Sequence, residues 1–539
     1  MALGLGNTSG MALGTLLSRI TGVLRDIALV AAVGTGVFSD TYSVANSLPN
    51  IIYILIAGGA INAVFIPALV RHMKEDDDSG ATFTDRLLTL VGIVLVTIVI
   101  ISLIAAALII HLYATTTWSG NDFHVAIIFA IWCIPQIFFY GLYTLESQIL
   151  NARGVFKLPM YAPIANNVIV ILSAILFISL THATPTTDAV TTAHLAVLGF
   201  GTTFGVVVQS LILFPALKKN GYKYKPRLDF KNSGLGKLGD LAIWTIGFVA
   251  INQLSFLIIS KLTTYANVLA SQQSAVATGF TSYQKAQLMM MLPHSIITVS
   301  IITALLPRLS NHSHENNLDA FGNELGIAMR NVICFVTPCA AILFFMGKQI
   351  GIILYGHGAS TIESGSAVGF VASMFALGLP AFSIFYVLLR NYYAQENTKT
   401  PFMINLAFNL LHMGIGITLF YTVSEHWKVA SLALAYSISY TIVAIYTWKK
   451  IAVRLPKMRP LKLLQTLARV VVAVAFSGLV AWLITHLAID LKTAGQALIQ
   501  LLLFTTIFVL GFYWLAKLMK IDFVQELENQ FIKRVGGKK

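Results

Sequence analysis

The sequence predicts an all-α protein that crosses a membrane about fourteen times. Of its 539 residues, 57% are hydrophobic and only 11% are charged, whereas ordinary soluble proteins carry roughly 25% charged residues. The mean hydropathy is +0.78. Apolar stretches of about 20 residues, long enough to cross a bilayer as a helix, recur from one end of the chain to the other. We therefore expect a polytopic membrane protein without a soluble domain large enough to carry a separate activity.

Fourteen segments are predicted to span the membrane, because each has a continuous apolar interior. They lie near residues 9–33, 41–70, 86–113, 124–150, 159–181, 190–217, 239–263, 284–307, 328–353, 366–392, 401–423, 428–448, 465–489 and 495–518. Of the 36 Lys and Arg residues, 29 fall on one side of these spans and five on the other. The positive-inside rule makes the basic side cytoplasmic. Both termini are then expected in the cytoplasm, which requires an even number of spans.

Several classes of function are disfavoured by the same pattern. The net charge of +14 could suggest nucleic-acid binding, but the basic residues follow the membrane topology, so no nucleic-acid partner is expected. The sequence contains no Walker loop, no HExxH pair and no Cys/His metal spacing. No loop is long enough for a nucleotide-binding domain. We therefore predict a transporter rather than an enzyme, with no cofactor and no metal site of that kind.

The first span carries charged residues that cannot face lipid. At about 100° per residue, Arg19 and Asp26 share one face of the helix, and Arg25 aligns with Ser18. Because ionisable groups are costly inside a membrane, this surface is expected to line a bundle interior or a wet cavity. Two arginines against one aspartate favour an anion, and guanidinium groups suit phosphate. An arginine–aspartate pair that only fixes helix packing remains the alternative.

The second span is also polar along part of its length. It opens with Asp40 and continues through Asn46 and Asn50. Pro49 and the glycine pair at 58–59 are expected to bend the helix, which membrane helices tolerate where neighbours or water satisfy the freed backbone groups. A bent, polar helix of this kind is typical of a transporter cavity.

These motifs together resemble the MurJ (MviN) family of lipid II flippases, which belongs to a larger group with the drug-exporting MATE proteins. The likeness covers almost the whole chain, and the ordered set of motifs is more specific than any one of them. It includes SRITGVLRD at 18–26, DTYSVA at 40–45, LPN at 48–50, NARGVF at 151–156, LLPRLS at 305–310 and RNYYA at 390–394.

The resemblance implies two six-helix lobes around a central cavity, residues 1–220 and 221–455, followed by a helix pair and basic tail, 456–539. It implies a flippase in the bacterial inner membrane that moves lipid II, the undecaprenyl-pyrophosphate-linked disaccharide-peptide, to the outer leaflet by alternating access. Cavity arginines would bind the pyrophosphate. Expected partners are lipid II, membrane lipids, and proteins of cell-wall synthesis and division. An exporter of another amphipathic molecule, of the MATE or polysaccharide type, and a non-transporting cell-wall scaffold remain the alternatives.

The sequence departs from the family pattern where positive charge is expected. Tyr53 and Ile54 stand where the family has arginines, and Leu288 beside Gln287 replaces another. This loss of arginines resembles actinobacterial members of the family. Lys261 or Lys285 are candidates to compensate, and a cation site seen in some members is left open. The predicted substrate-binding residues are Arg19, Arg25, Asp26, Asp40, Asn46, Asn50, Tyr53 and Gln287.

Overall fold

The computed structural model describes residues 5–57, 72, 78, 80–181, 184–229, 239–273, 275–395 and 397–521. All regular structure in these ranges is helical, which confirms the predicted all-α fold. The glycine pair at 58–59, expected to bend the second span, lies outside the described residues. Pro49 lies within a continuous helix that runs on to Ala57.

Eighteen α-helices make up the described ranges, with a π-helical turn at His294–Thr298 between the eleventh and the twelfth. They are α1 Leu5–Val33, α2 Val37–Ala57, α3 Ala81–Ile104, α4 Ala106–Tyr113, α5 Gly120–Cys133, α6 Gln136–Ala152, α7 Lys157–Thr181, α8 Thr192–Leu211, α9 Phe214–Lys219, α10 Gly239–Gln272, α11 Phe280–Pro293, α12 Val299–His314, α13 Leu318–Tyr355, α14 Ile362–Tyr393, α15 Lys399–Thr422, α16 Lys428–Arg454, α17 Pro460–Ala488 and α18 Ala494–Leu518.

Twelve helical segments of the described chain are long and apolar enough to cross a membrane. They correspond one to one with the predicted spans from the third to the fourteenth, so the membrane-embedded character is confirmed. Some of them join two helices, as α5 and α6 do within Gly120–Ala152. The helix α1 carries three charged residues in its second half, and α2 is described only as far as Ala57. The total of fourteen spans stays a prediction.

Polar residues fix where several of these helices begin. The Ser119 hydroxyl accepts a hydrogen bond from the backbone N–H of Asp122, and the Asp122 carboxylate accepts one from the backbone N–H of Ser119. Thr493 and Gln496 make the same reciprocal pair at the start of α18. Each pair satisfies backbone donors that the first turn of a helix leaves open.

The chain divides into two compact units. The first comprises Met1–Gln273, Gly279–Thr281 and Gly358–Ser360, and the second comprises Ser274–Thr278, Ser282–His357 and Thr361–Lys539. This grouping places α10 in the first unit, beyond the lobe boundary expected near residue 220. The lobe boundary itself stays a prediction.

In the first unit, α1 packs along α7, α7 along α8, and α2 against α5. Its core is formed by small and aliphatic side chains of α2, including Val44 and Leu48, together with Phe129 of α5 and Phe177 of α7. One face of α2 is therefore committed to apolar packing. Polar side chains of α1 and α2 contact residues of α6, α7 and α8, and Asp40 of α2 contacts Asn267 of α10.

In the second unit, α13 and α14 form an antiparallel pair whose backbones touch. A Cβ atom added to Gly369 would lie 2.0 Å from the carbonyl oxygen of Gly347, and one added to Gly351 would lie 2.2 Å from that of Gly365. Membrane helices use small residues in this way, because close approach increases their dispersion contacts. The glycines therefore set the distance between the two helices.

The C-terminal helices α17 and α18 pack against each other and against α13. The Gln349 amide of α13 donates a hydrogen bond of 2.8 Å to the Gln500 side chain of α18. A Cβ atom added to Gly478 of α17 would lie 2.5 Å from the ring of Phe345. The helix pair is thus an integral part of the second unit.

Candidate functional site

The guanidinium group of Arg25 is held at the contact between α1 and α7. Its Nη1 donates a hydrogen bond of 3.2 Å to Oδ1 of Asn167, and its Nη2 lies 3.5 Å from Oδ1 of Asp26. The Asn167 amide in turn donates to the backbone oxygen of Ser18 at 3.1 Å and to the Thr21 hydroxyl at 2.9 Å. Asn167 therefore ties the polar face of α1 to α7 and orients the arginine.

The Arg25 side chain is held in one orientation but is not fully buried. Its side chain keeps 33% of its surface exposed, while that of Asp26 keeps only 8%. Within the described residues, the Arg25 Nε is buried without a hydrogen-bond partner. Arg19, two turns earlier on α1, is half-buried. Part of the Arg25 side chain is therefore still exposed, and both a ligand contact and a pair that only fixes helix packing stay predictions.

A second group of polar side chains is centred on Gln136 of α6. Gln136 donates to Asn46 Oδ1 at 3.3 Å and to the Thr203 hydroxyl at 3.1 Å, and Tyr140 donates to Gln136 Oε1 at 3.0 Å. Asn46, one of the predicted site residues, therefore belongs to the polar interior of the first unit.

Asp40 does not belong to this polar interior. It is fully buried, and its carboxylate accepts hydrogen bonds from Asn267 Nδ2 at 2.8 Å, from the backbone N–H of Phe280 at 3.1 Å and from that of Thr281 at 2.8 Å. Both of its oxygens are therefore occupied. In this structure Asp40 caps the first residues of α11, and its predicted contact with substrate stays a prediction.

The remaining predicted residues are dispersed. Asn50 is exposed on α2, and Tyr53 is half-buried and donates to the Thr144 hydroxyl of α6 at 2.8 Å. Gln287 belongs to the second unit, where it contacts Tyr436. Of the two candidate lysines, Lys261 lies in the first unit. The role of Asn50, Tyr53, Gln287 and the two candidate lysines in substrate binding stays a prediction.

Sequence reasoning missed three polar residues inside the spans, namely Asn167, Gln136 and Glu146. The Glu146 side chain is only 1% exposed, and its Oε2 accepts a hydrogen bond of 2.8 Å from Ser210. Its Oε1 has no partner among the described residues. The signal was available, since an ionisable residue within an apolar span is costly and usually functional.

Groups of three or more His, Cys, Asp or Glu side chains that could hold a metal ion do not occur in the part of the chain that the structure describes. The cation site implied by the family resemblance is therefore left open. The chemistry that this interior offers is hydrogen bonding together with the positive charge of the α1 arginines.

Comparison with known proteins identifies a family. The family model described as lipid II flippase MurJ matches residues 29–500. A probable lipid II flippase MurJ of Thermotoga maritima is 28% identical over 439 residues, which cover 80% of this chain and 82% of that protein. A lipid II flippase MurJ of Burkholderia cenocepacia is 26% identical over 397 residues, 72% of each chain.

Solved structures share the fold. A lipid II flippase MurJ in an inward closed conformation aligns with a TM-score of 0.71 at 21% identity, covering 94% of this chain and 98% of that one. An inward-facing multidrug resistance MATE transporter of the MOP superfamily aligns with a TM-score of 0.60 at 13% identity, covering 82% and 96%. The chain therefore shares its fold with these two proteins.

Proposed function

Because the chain belongs to the MurJ family of lipid II flippases, we propose that it moves lipid II across the membrane and binds the pyrophosphate at the polar face of α1. Lipid II joins a large polar headgroup to a polyprenyl tail through this pyrophosphate. The headgroup cannot cross hydrocarbon unaided, because its polar groups would lose their hydrogen bonds, whereas the tail can remain in lipid. The protein needs to shelter the headgroup alone.

The observation that carries the proposed site is the state of Arg25. Its guanidinium is oriented by Asp26 and Asn167, and the side chain as a whole is still one-third exposed. A guanidinium can donate two parallel hydrogen bonds to phosphate oxygens, and a group held in place before binding loses less conformational freedom when the ligand arrives. Arg19 on the same helix adds positive charge. We assign the first pyrophosphate contact to Arg25.

The proposed setting is the bacterial inner membrane, with both termini in the cytoplasm. The distribution of Lys and Arg supports this orientation. Labelling of single cysteines introduced beside Lys219 and beside Asp490 by a membrane-impermeant reagent tests it, since only the second position is expected to react in intact cells. Membrane lipids and proteins of cell-wall synthesis and division are the further proposed partners. Export of another amphipathic molecule is not favoured, because the matched family is one of lipid II flippases.

The assignment of Arg25 is tested by complementation. Variants of this chain are expressed in a bacterial strain depleted of its resident flippase, and rescue of growth is measured. An Arg25→Ala variant loses a charged hydrogen bond worth about 1.5–3 kcal/mol, so lipid II binding should weaken roughly ten- to a hundredfold and growth should not be rescued. Arg25→Lys keeps the charge and should rescue in part. Lys219→Ala, a change on an exposed cytoplasmic helix end, is the control. Full rescue by Arg25→Ala at normal protein levels would remove Arg25 from this role.

A further inference from the structure

The first unit contains a cavity that does not involve α1. Its volume is about 550 Å³, within the range of about 300–1,000 Å³ typical of small-molecule sites. Leu88 and Leu95 of α3 are seven residues apart, so the apolar wall extends about 10 Å along the helix axis. Most of the lining is apolar and comes from Leu88, Leu95, Phe138, Leu142, Leu145 and Phe214.

The segment after α9, residues 220–229, which we call the strap, is fixed against α3. Asp85 accepts hydrogen bonds from the Tyr222 hydroxyl at 2.7 Å and from the backbone N–H of Lys225 at 3.2 Å. The backbone N–H of Arg227 donates to the Thr89 hydroxyl at 3.1 Å. These bonds run in register along one face of α3. The strap is therefore a built wall of the cavity rather than a loose loop.

The strap and α9 place positive charge at the cavity. Lys218 and Lys223 both line it and are exposed. The buried Glu146 also lines the cavity, and its Oε1 has no hydrogen-bond partner among the described residues. The cavity thus combines two cationic side chains, one unsatisfied buried acceptor and an elongated apolar surface.

We propose that this cavity binds an anionic phospholipid whose headgroup carries hydroxyls, as phosphatidylglycerol does. An acyl chain lies against the leucine and phenylalanine wall, and the phosphate meets Lys218 and Lys223. A headgroup hydroxyl donates to Oε1 of Glu146, which satisfies the buried acceptor. Basic side chains beside a membrane attract anionic lipids, and the apolar wall adds the burial of an acyl chain. No residue of the proposed pyrophosphate site takes part.

Gly92 offers a way to fill the cavity without disturbing its walls. It lines the cavity, and a Cβ atom added there meets no heavy atom within 4 Å. Gly92→Phe should therefore occupy the space of the acyl chain. Gly414→Phe is the matched control, because Gly414 on α15 also faces open space. A Lys218→Gln, Lys223→Gln double variant removes the phosphate partners, and Lys219→Gln, an exposed neighbour outside the lining, controls for charge.

Native mass spectrometry of the purified full-length chain, titrated with phosphatidylglycerol, phosphatidic acid or phosphatidylcholine, tests the proposal. Phosphatidylglycerol should bind most tightly to the wild-type chain. Gly92→Phe should weaken that binding at least tenfold, and the double lysine variant by about fivefold for each lysine removed. Both control variants should bind as the wild type does. Glu146→Leu should abolish the preference for phosphatidylglycerol over phosphatidic acid, which lacks headgroup hydroxyls.

Two results would overturn the assignment. One is unchanged phosphatidylglycerol binding by Gly92→Phe protein that unfolds at the wild-type temperature. The other is equal binding of phosphatidylcholine and phosphatidylglycerol by the wild-type chain. If Gly92→Phe does not fold, the Lys218→Gln, Lys223→Gln variant tests the proposal instead. Both lysine side chains are exposed and are not needed for packing, so unchanged phosphatidylglycerol binding by that variant would overturn the assignment. Because lipid II transport depends on α1, loss of this lipid site and loss of pyrophosphate binding are separately measurable.

Discussion

Replacing Asp40 separates a positioning residue from a substrate contact. In the structure its carboxylate is fully buried and accepts three hydrogen bonds, two of them from the backbone N–H groups of Phe280 and Thr281. The third donor, Asn267, also donates to the backbone oxygen of Thr35 at 3.1 Å. Removing the carboxylate therefore leaves two buried backbone donors without an acceptor, while Asn267 retains one partner.

The structure gives the size of the effect. An unsatisfied buried donor costs about 1–3 kcal/mol, so Asp40→Ala should lower the free energy of unfolding by about 2–6 kcal/mol for the two N–H groups. Asp40→Asn keeps one oxygen, which can accept from Phe280 or from Thr281 but leaves an amide NH₂ facing the other. Its cost should be about half as large, roughly 1–3 kcal/mol.

Thermal unfolding in detergent, followed by tryptophan fluorescence, measures this order of stabilities, and lipid II binding is measured on the folded fraction. Wild type should be most stable, then Asp40→Asn, then Asp40→Ala, with similar lipid II affinity for all three. An Asp40→Ala protein that unfolds at the wild-type temperature but no longer binds lipid II would refute this reasoning. Such a result would instead support Asp40 as a substrate contact.

Asn167→Ala removes the amide that orients the α1 guanidinium, so binding has to immobilise that side chain at a cost of about 0.5–1.5 kcal/mol, and lipid II affinity should fall roughly two- to tenfold; unchanged affinity in a binding titration would count against this role. Gly369→Leu places a side chain against the α13 backbone and should lower stability by about 1–3 kcal/mol. Gly414→Leu, which faces open space, should leave the unfolding temperature unchanged, and equal melting of the two would contradict the packing. The hydrogen bond from Arg86 lowers the pKa of the Asp229 carboxyl, so this pair stabilises the strap above the ordinary aspartate pKa of about 3.9 and is lost as pH falls through the lowered value. Protection of residues 222–229 against hydrogen exchange, taken relative to the intrinsic rate at each pH, should therefore fall below about pH 4, and an Arg86→Gln variant that keeps the same pH step would exclude the pair as its cause.

Hydropathy predicted most of the helices, because a chain in lipid has to satisfy its backbone hydrogen bonds within each helix. The positions of helix breaks and helix ends were harder to predict from the sequence. The single span expected at 86–113 is broken at Ala105 into α3 and α4, and α13 extends ten residues before the predicted start at 328. Neither change alters the apolar composition that the prediction used. Hydropathy therefore locates spans more reliably than helix ends.

The candidate site was predicted in part. The unusual charges of the first span singled out Arg25 and Asp26, and the structure brings them together. Asn167, 142 residues away from Arg25 in sequence, could not be recognised as its partner, because that pairing exists only once α1 and α7 pack. The capping role of Asp40 was hidden for the same reason, since its partners Phe280 and Thr281 lie about 240 residues away. A buried polar residue reveals that a partner is needed but not which one.

A leaflet-accessibility assay for lipid II in proteoliposomes tests the role of Arg25 most directly. Wild-type, Arg25→Ala and Arg25→Lys proteins are reconstituted at equal amounts, and the rate at which lipid II reaches the opposite leaflet is measured. If Arg25 binds the pyrophosphate, the alanine variant should move lipid II at least about tenfold more slowly, with the lysine variant in between. Equal rates for wild type and Arg25→Ala would contradict a pyrophosphate site on α1.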